Sequence, residues 1–303
     1  MSQAIRTILG KYEGENPGCK AKLYTMMNHG KLAGTGRMVI YPVDQGFEHG
    51  PGRSFGMNPS AYDPHFHYKL AIDSGVSAFA APLGLLEAGA DSFAGSVPLI
   101  LKINSGNTLT KPYGGSDQAV TSAVADALRL GCVGVGFTIY PGSDVTYDMF
   151  EEVRDIIADA KAAGLAVIVW SYTRGNMSKE GETAIDVVSY GAHMACLLGA
   201  HVVKVKLPTA HLEKTEAKYV YQDQKIAIDT LADRVGHVVD SCFAGRRMVI
   251  FSGGAKADDA AVLADARAIR QGGGNGSIIG RNCFQRPYKE AMTLLDQIIQ
   301  VYT

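Results

Sequence analysis

Strand-like and helix-like segments alternate along almost the whole chain, and this alternation limits the possible folds more than any other feature. Eight short segments rich in apolar and β-branched residues occur at 38–43, 76–81, 98–103, 133–139, 166–171, 202–207, 247–251 and 277–280. Helical periodicity fills most of the intervals, at 118–130, 147–163, 183–198, about 217–240, 258–270 and 288–301. Strands that alternate with helices pair in parallel through right-handed crossovers, which predicts an α/β protein.

Eight such units in roughly 250 residues match the size of a (β/α)8 TIM barrel. The alternative is an open doubly wound sheet, which requires a glycine-rich fingerprint after the first strand. Residues 44–51 stand there and lack G-x-G-x-x-G spacing, so the barrel is favoured. We predict a barrel domain over residues 38–303, preceded by a helical extension over residues 1–37. The interval 209–240 is predicted to serve packing between subunits of a homo-oligomer.

Composition argues against several classes of partner. The 303 residues carry a formal net charge of -1 and only 19% are charged, so neither nucleic acid nor an anionic membrane is an expected partner. The five cysteines are scattered singly, which favours reduced thiols in the cytoplasm over a disulfide framework or zinc ribbon. The N-terminus lacks a signal-peptide core, and each apolar run is interrupted before it reaches the roughly 20 residues of a membrane span.

An apolar strand with two lysines, residues 199–208 (GAHVVKVKLP), carries the strongest chemical signal. The twofold period of a strand puts Lys204 and Lys206 on the same face. Burial lowers a lysine pKa from roughly 10.4 towards neutrality, which yields a nucleophilic amine. One lysine would then form a Schiff base with a carbonyl substrate, while the second helps to keep it unprotonated. Alternatively, the amines snorkel to solvent at the strand end.

Small residues follow the last two predicted strands. The seventh strand runs into Ser252, Gly253 and Gly254, and the eighth into Gly280 and Arg281. Phosphate sites in (β/α)8 barrels are frequently built from these two loops, where bare backbone N–H groups and a helix N-terminus attract an anion. Arg281 would add a charge-assisted contact. The pattern favours a phosphate site over glycines that only turn tight corners.

The fifth predicted strand presents aromatic and basic side chains beside the lysines. Parity places Trp170, Tyr172 and Arg174 on one face. A tyrosine next to an ammonium group has a lowered pKa and can act as general acid or base. Arg174 can hold a second anionic group. Trp170 fits a role as barrel filling as well as it fits a substrate contact.

Polar residues also end the first and third strands. Asp44 stands at a strand end, where a carboxylate pairs with a lysine or binds a substrate hydroxyl, and His49 lies on the loop that follows. Lys102 is a candidate contact for an anion or hydroxyl, with Asn104 on the same face. The close histidine pair at 65–67 has no third ligand at a recognisable spacing, so neither a metal nor another cofactor is predicted.

Several of these stretches, taken together and in order, resemble one enzyme family. The matching runs are VDQGFEHGP at 43–51, WSYTRG at 170–175, GAHVVKVKLP at 199–208, FSGGAK at 251–256 and IIGRN at 278–282. They are similar to motifs of the archaeal-type, or DhnA-type, class I fructose-bisphosphate aldolases. The resemblance extends from about residue 38 to residue 290.

The resemblance implies a barrel that cleaves fructose 1,6-bisphosphate reversibly into dihydroxyacetone phosphate and glyceraldehyde 3-phosphate without a metal, in glycolysis or gluconeogenesis. It implies Lys204 as the Schiff-base lysine, Tyr172 as the proton-transfer residue and Asp44 as the site aspartate. The implied substrate- and phosphate-binding set comprises Ser252, Gly253, Gly254, Gly280, Arg281, Trp170 and Arg174. From the residues alone, we add to that set Lys206, Lys102 and His49.

Two other functions stay open on the sequence. Another Schiff-base phosphosugar aldolase or synthase of the same superfamily would use the same scaffold and the same lysine. A non-catalytic phosphosugar-binding barrel, with a structural lysine pair, is the lesser alternative.

Overall fold

The computed structural model describes residues 1–110, 116–252 and 258–303. Within them, parallel strands form a closed eight-stranded barrel: β1 Met38–Pro42, β2 Ala78–Pro82, β3 Leu99–Lys102, β4 Gly134–Ile139, β5 Ala166–Ser171, β6 Val202–Lys206, β7 Met248–Ser252 and β8 Gly276–Ile278. Neighbours follow chain order around the ring, and β8 closes it by pairing with β1. This confirms the predicted (β/α)8 barrel, and each strand lies within two residues of its predicted position.

Helices cover the outside of the barrel and its lower end. In chain order they are α1 Gln3–Gly10, α2 Pro17–Met27, α3 Gln45–His49, α4 Pro51–Phe55, α5 Pro64–Ser74, α6 Leu83–Phe93, α7 Val124–Arg129, α8 Thr146–Ala162, α9 Ile185–Leu197, α10 Thr215–Asp223, α11 Leu231–Ser241, α12 Asp259–Gln271, α13 Arg281–Phe284 and α14 Tyr288–Tyr302. Short 3₁₀ helices occur at Gly30–Leu32, Pro59–Tyr62 and Gly181–Thr183. None of the helices in the described part of the chain combines the length and apolar character that crossing a membrane requires.

The helix predicted over 118–130 begins later than expected. Ala119–Val120 instead pairs antiparallel with Asn104–Ser105 in a separate two-stranded sheet, which we call the ribbon. The backbone hydrogen bonds of this stretch are therefore used between strands, and α7 starts only at Val124. The prediction was wrong because a local pattern of apolar residues does not register a pairing partner elsewhere in the chain.

The single helix predicted over about 217–240 is also wrong, since the structure has α10 and α11 in its place. The backbone turns between them at Lys225, which adopts a left-handed φ of 52°. Thr230 then caps the second helix, because its hydroxyl accepts the Asp233 N–H while the Asp233 carboxylate accepts the Thr230 N–H. This capping box begins a second helix within a stretch of sequence whose apolar residues have one continuous helical period.

The helical extension closes the end of the barrel where the strands begin. Its buried apolar side chains form one cluster with the interior of the barrel, to which the extension contributes Ile5, Leu9, Tyr12, Leu23, Met26 and Met27. The Tyr12 hydroxyl donates a hydrogen bond to the His201 carbonyl at 2.6 Å and accepts the Met248 N–H at 3.1 Å. The extension is thus fastened to the first residue of β7 and to the residue before β6.

A buried polar cluster at the same end joins the extension to the barrel wall. The Val167 N–H donates to Nδ1 of His201 at 2.8 Å, so the ring carries its proton on Nε2, which lies 3.1 Å from the Glu15 carboxylate. Burial lowers the pKa of His201 to about 4, and the ring is neutral at pH 7. The Lys161 ammonium lies 2.5 Å from Glu15. Glu15, Cys19 and His201 converge, but the carboxylate already pairs with the Lys161 ammonium and Nε2 of His201 carries a proton, so neither offers a free ligand atom to a metal ion.

Replacing Tyr12 by Phe is expected to lower the free energy of unfolding by about 1–2 kcal/mol, because the buried His201 carbonyl and Met248 N–H each lose a partner. Urea denaturation followed by circular dichroism measures the change. Tyr219→Phe is the matched control, since Tyr219 is 69% exposed. Equal stability of the two variants would contradict the proposed fastening.

Candidate active site

A cavity of about 650 Å³ opens at the end of the barrel where the strands finish. Active sites of (β/α)8 barrels lie at this end, built from strand termini and the loops that follow. Among the residues that line it are Asp44, His49, Lys102, Tyr172, Arg174, Lys204, Lys206, Ser252, Gly280 and Arg281. The fold therefore brings most of the predicted site residues into one cavity. Gly253 and Gly254 lie outside the described residues.

Trp170 lies beneath the cavity instead of in its wall. Its side chain is 1% exposed and packs in the barrel interior. A Cβ atom on Gly136 would collide with the indole ring, so the glycine in β4 makes room for it. The ring centroid is 5.9 Å from Nζ of Lys102 and 5.8 Å from Nζ of Lys204. The Trp170 ring therefore forms the floor of the cavity beneath the amines of Lys102 and Lys204.

The Lys204 amine stands at the centre of the site. Its Nζ donates a hydrogen bond to the Tyr172 hydroxyl and lies 4.4 Å from the centroid of that ring. The pKa of Lys204 is lowered to about 7, chiefly by burial; the Asp44 carboxylate opposes this shift and the charge of Lys102 adds to it. A substantial share of the amine is therefore unprotonated at neutral pH, which makes it a nucleophile.

The lysine whose charge acts on Lys204 is Lys102, on β3. It is 3% exposed, donates to Oδ1 of Asn104 at 2.9 Å, and has its pKa lowered by burial to about 8. Lys206, for which the sequence predicted this role, lies instead 3.4 Å from the Glu182 carboxylate. Residues two apart in a strand share a face, but their positions along the strand differ by about 7 Å. A shared face therefore does not show that the Lys206 ammonium acts on the Lys204 amine.

The loops after β7 and β8 form one side of the cavity. Arg281 follows Gly280 directly and begins α13. A Cβ atom on Gly280 would lie 2.6 Å from the Pro42 carbonyl oxygen, so glycine permits the close approach of this turn to β1. Ser252 ends β7, and its hydroxyl donates to the Val205 carbonyl at 3.3 Å. A guanidinium and small polar groups thus meet where the sequence predicts a phosphate.

Arg174 supplies a second cation across the cavity. Its guanidinium stacks 4.8 Å from the Tyr140 ring centroid and lies 4.0 Å from the Glu48 carboxylate. His49 lies 3.7 Å from the same carboxylate, and burial lowers the pKa of His49. Because the contact of Arg174 with Glu48 is long, the guanidinium is available to an anionic group of a ligand.

Sequence reasoning missed several residues of the cavity wall, namely Ser105, Gln118, Tyr140 and Glu182. Tyr140 directly follows β4, so its position at a strand end is the signal that could have found it. Gln118 was assigned to a helix that does not exist there. Ser105, in the ribbon, and Glu182, in the 3₁₀ helix Gly181–Thr183, are single polar residues that no local sequence pattern distinguishes.

Comparison with known proteins gives one consistent family. A family model described as DeoC/LacD family aldolase matches residues 38–286. The chain is 34% identical over 293 residues to a probable fructose-bisphosphate aldolase class 1 of Chlamydia pneumoniae, which covers 92% of this chain and 83% of that protein. It is 30% identical over 275 residues to a fructose-bisphosphate aldolase/6-deoxy-5-ketofructose 1-phosphate synthase of Methanocaldococcus jannaschii, with 88% and 82% covered.

A solved structure resembles the fold and carries a covalent intermediate. It is an archaeal fructose-1,6-bisphosphate aldolase with its catalytic lysine covalently bound to the carbinolamine intermediate of the substrate. The TM-score is 0.75 at 31% sequence identity, and the match covers 89% of this chain and 95% of that one.

Proposed function

The chain belongs to the DeoC/LacD family of aldolases, and from that premise we propose that it is a Schiff-base, class I fructose-bisphosphate aldolase. It cleaves fructose 1,6-bisphosphate reversibly into dihydroxyacetone phosphate and glyceraldehyde 3-phosphate. The observation that carries the proposal is the Lys204 amine, which is buried over Trp170, hydrogen-bonded to Tyr172 and has a pKa of about 7.

The reaction begins at the amine. Neutral Lys204 adds to the C2 carbonyl, and the carbinolamine takes up a proton from solvent and loses water, which gives an iminium ion that withdraws electrons from C3. Tyr172, in contact with this amine and acting as its phenolate, takes the proton of the C4 hydroxyl as the C3–C4 bond breaks, and glyceraldehyde 3-phosphate leaves. Tyr172 then returns a proton to C3 of the remaining enamine, and hydrolysis releases dihydroxyacetone phosphate. Asp44 assists the dehydration of the carbinolamine or holds a hydroxyl.

Binding energy away from C2 positions the substrate. One phosphate group at Ser252, Gly280 and Arg281 holds the carbonyl against Lys204, and Arg174 receives the second phosphate on the other side. Fixing both ends of the substrate converts remote binding energy into orientation at the reacting carbon.

Borohydride reduction in the presence of dihydroxyacetone phosphate tests the proposal. We expect a covalent adduct on the peptide that contains Lys204, detected by mass spectrometry. Protein treated with borohydride alone is the control. Absence of an adduct would contradict the Schiff-base mechanism and would favour the non-catalytic phosphosugar-binding barrel. Turnover that disappears on addition of a chelator would contradict the metal-independent route.

The rate of adduct formation is expected to fall about tenfold per pH unit below pH 7, because protonation removes the nucleophilic amine of Lys204, whose pKa is about 7. Lys102→Met removes a neighbouring positive charge, so the pKa of Lys204 should rise and the acid limb should move to higher pH. Trapping rates measured from about pH 5.5 to 9 give the acid limb of the unmodified protein and that of the variant. Lys206→Met is the matched control, and a shift to lower pH in Lys102→Met would contradict this role.

A second candidate reaction is a sibling phosphosugar synthase that uses the same Schiff base. The relative from Methanocaldococcus jannaschii carries both names, which makes this alternative specific. Cleavage of fructose 1,6-bisphosphate and of other ketose 1-phosphates, compared by kcat/KM, separates the two reactions.

We further propose a cytoplasmic enzyme of glycolysis or gluconeogenesis that assembles as a homo-oligomer. Its cysteines support the location, because all five are free and buried, as is usual in a reducing compartment. Helices α10 and α11 of the 209–240 segment are the predicted subunit contact. Light scattering coupled to gel filtration measures the assembly.

A further inference from the structure

The wall of the cavity formed by β3 and β4 has no role in the mechanism described above. In the ring of eight strands, β3 lies opposite β7 and β4 lies opposite β8. This wall therefore faces the phosphate side across the cavity. Ser105, Gln118 and Tyr140 line the cavity there, and we call these three residues the polar wall.

The polar wall is held rigidly. Ser105 lies on one strand of the ribbon, and Gln118 directly precedes the other. Asn104 ties the ribbon to β4, because its Nδ2 donates to the Thr138 carbonyl at 2.8 Å and its Oδ1 accepts the Thr138 N–H at 2.7 Å. Groups that are fixed in this way can select a ligand by geometry.

Two polar atoms of this wall are buried without a partner. Ser105 is 6% exposed and Gln118 is 7% exposed, and neither Oγ of Ser105 nor Oε1 of Gln118 meets a hydrogen-bond partner among the described residues. Leaving a buried polar group unpaired costs about 1–3 kcal/mol, so such atoms call for a ligand that pairs with them.

The third member of the polar wall is a neutral hydroxyl. Nε2 of Gln118 donates to the Tyr140 hydroxyl at 2.8 Å, and burial raises the pKa of Tyr140 to about 12. The phenol therefore keeps its own proton and can donate it. Serine, amide and phenol groups without net charge match the hydroxyl groups of a sugar better than they match a phosphate.

We propose that Ser105, Gln118 and Tyr140 bind the hydroxyl group next to the aldehyde carbon of glyceraldehyde 3-phosphate, which is the C5 hydroxyl of the bisphosphate. The inference rests on the proposed function. With C2 on Lys204 and one phosphate beside Arg281, carbons 4 to 6 extend towards β3 and β4. Arg174 stacks on the Tyr140 ring, which places a cation for the second phosphate next to the hydroxyl subsite.

Synthesis assays with two aldehydes test the subsite. Dihydroxyacetone phosphate is combined with D-glyceraldehyde 3-phosphate or with 3-oxopropyl phosphate, which keeps the phosphate and lacks the hydroxyl. In Ser105→Ala and Gln118→Leu, kcat/KM for glyceraldehyde 3-phosphate should fall about 10- to 100-fold, while that for 3-oxopropyl phosphate stays within about twofold. Ser122→Ala is the matched control, because its hydroxyl is also buried without a partner but Ser122 does not line the cavity.

The failure of this subsite and the failure of the proposed function give different results. If both aldehydes lose kcat/KM equally, or neither does, the subsite is wrong. Borohydride trapping with dihydroxyacetone phosphate involves only carbons 1 to 3, so trapping in both variants should equal that of the unmodified protein. Loss of trapping in a variant would show a general disturbance of the site and overturn the assignment, whereas absence of trapping in the unmodified protein would overturn the aldolase itself.

Discussion

Lys204→Met should abolish aldol cleavage, with a loss of at least about 10⁴-fold in kcat, and should abolish borohydride trapping with it. Methionine fills similar space over Trp170 but has no amine, so neither the carbinolamine nor the iminium can form. Cleavage is followed by coupling the triose phosphates to NADH oxidation, and trapping is followed by mass spectrometry.

The comparison with Lys206→Met makes this result specific. Lys206 pairs with Glu182 and does not face the indole floor, so its removal should raise KM and leave most of kcat. Circular dichroism establishes that both variants fold. An adduct that moves to Lys206 or Lys102 in Lys204→Met, with turnover retained, would show that the nucleophile has been assigned to the wrong lysine.

Tyr172→Phe should lower the rate of C–C cleavage by about 10²- to 10⁴-fold, the usual contribution of a positioned proton-transfer group. The variant keeps Lys204 and should still form the adduct with dihydroxyacetone phosphate. The change therefore separates Schiff-base formation from the steps that need the hydroxyl.

Exchange of the C3 proton of dihydroxyacetone phosphate with deuterated water shows which of these steps use Tyr172. If the same hydroxyl protonates the enamine, exchange and cleavage should fall together. Tyr24→Phe, in the N-terminal extension, is a control for loss of a tyrosine hydroxyl away from the cavity. Exchange that persists while cleavage is lost would assign enamine protonation to another group, and cleavage at the normal rate would contradict the role of Tyr172 altogether.

The sequence predicts strand ends well because apolar runs and their termini are local. The positions of Asp44, Lys204 and Arg281 at one end of the barrel follow from parallel strand order alone. Depth and distance across the ring do not follow in this way. Trp170 has the predicted face but lies below the cavity. The lysine whose charge lowers the pKa of Lys204 is Lys102, three strands away around the ring, and not the neighbouring Lys206.

The ribbon shows a second limit of prediction. Gln118 sits in a stretch that reads as the start of a helix, and only pairing with Asn104–Ser105 reveals that it belongs to the cavity wall. Polar atoms such as Oγ of Ser105 become informative when their surroundings are known, because an unpaired atom is a property of the folded environment and not of the residue type.

The N-terminal helical extension, which closes the end of the barrel where the strands begin, limits how water and products reach and leave the site. Tyr12 and the apolar side chains around it fill the barrel where the strands begin, so molecules exchange with solvent at the opposite end. The water that hydrolyses the iminium must then enter by the route that the departing aldehyde has used. The aldehyde must therefore clear this route before that water arrives, while the ketone phosphate stays covalently bound to Lys204 until hydrolysis.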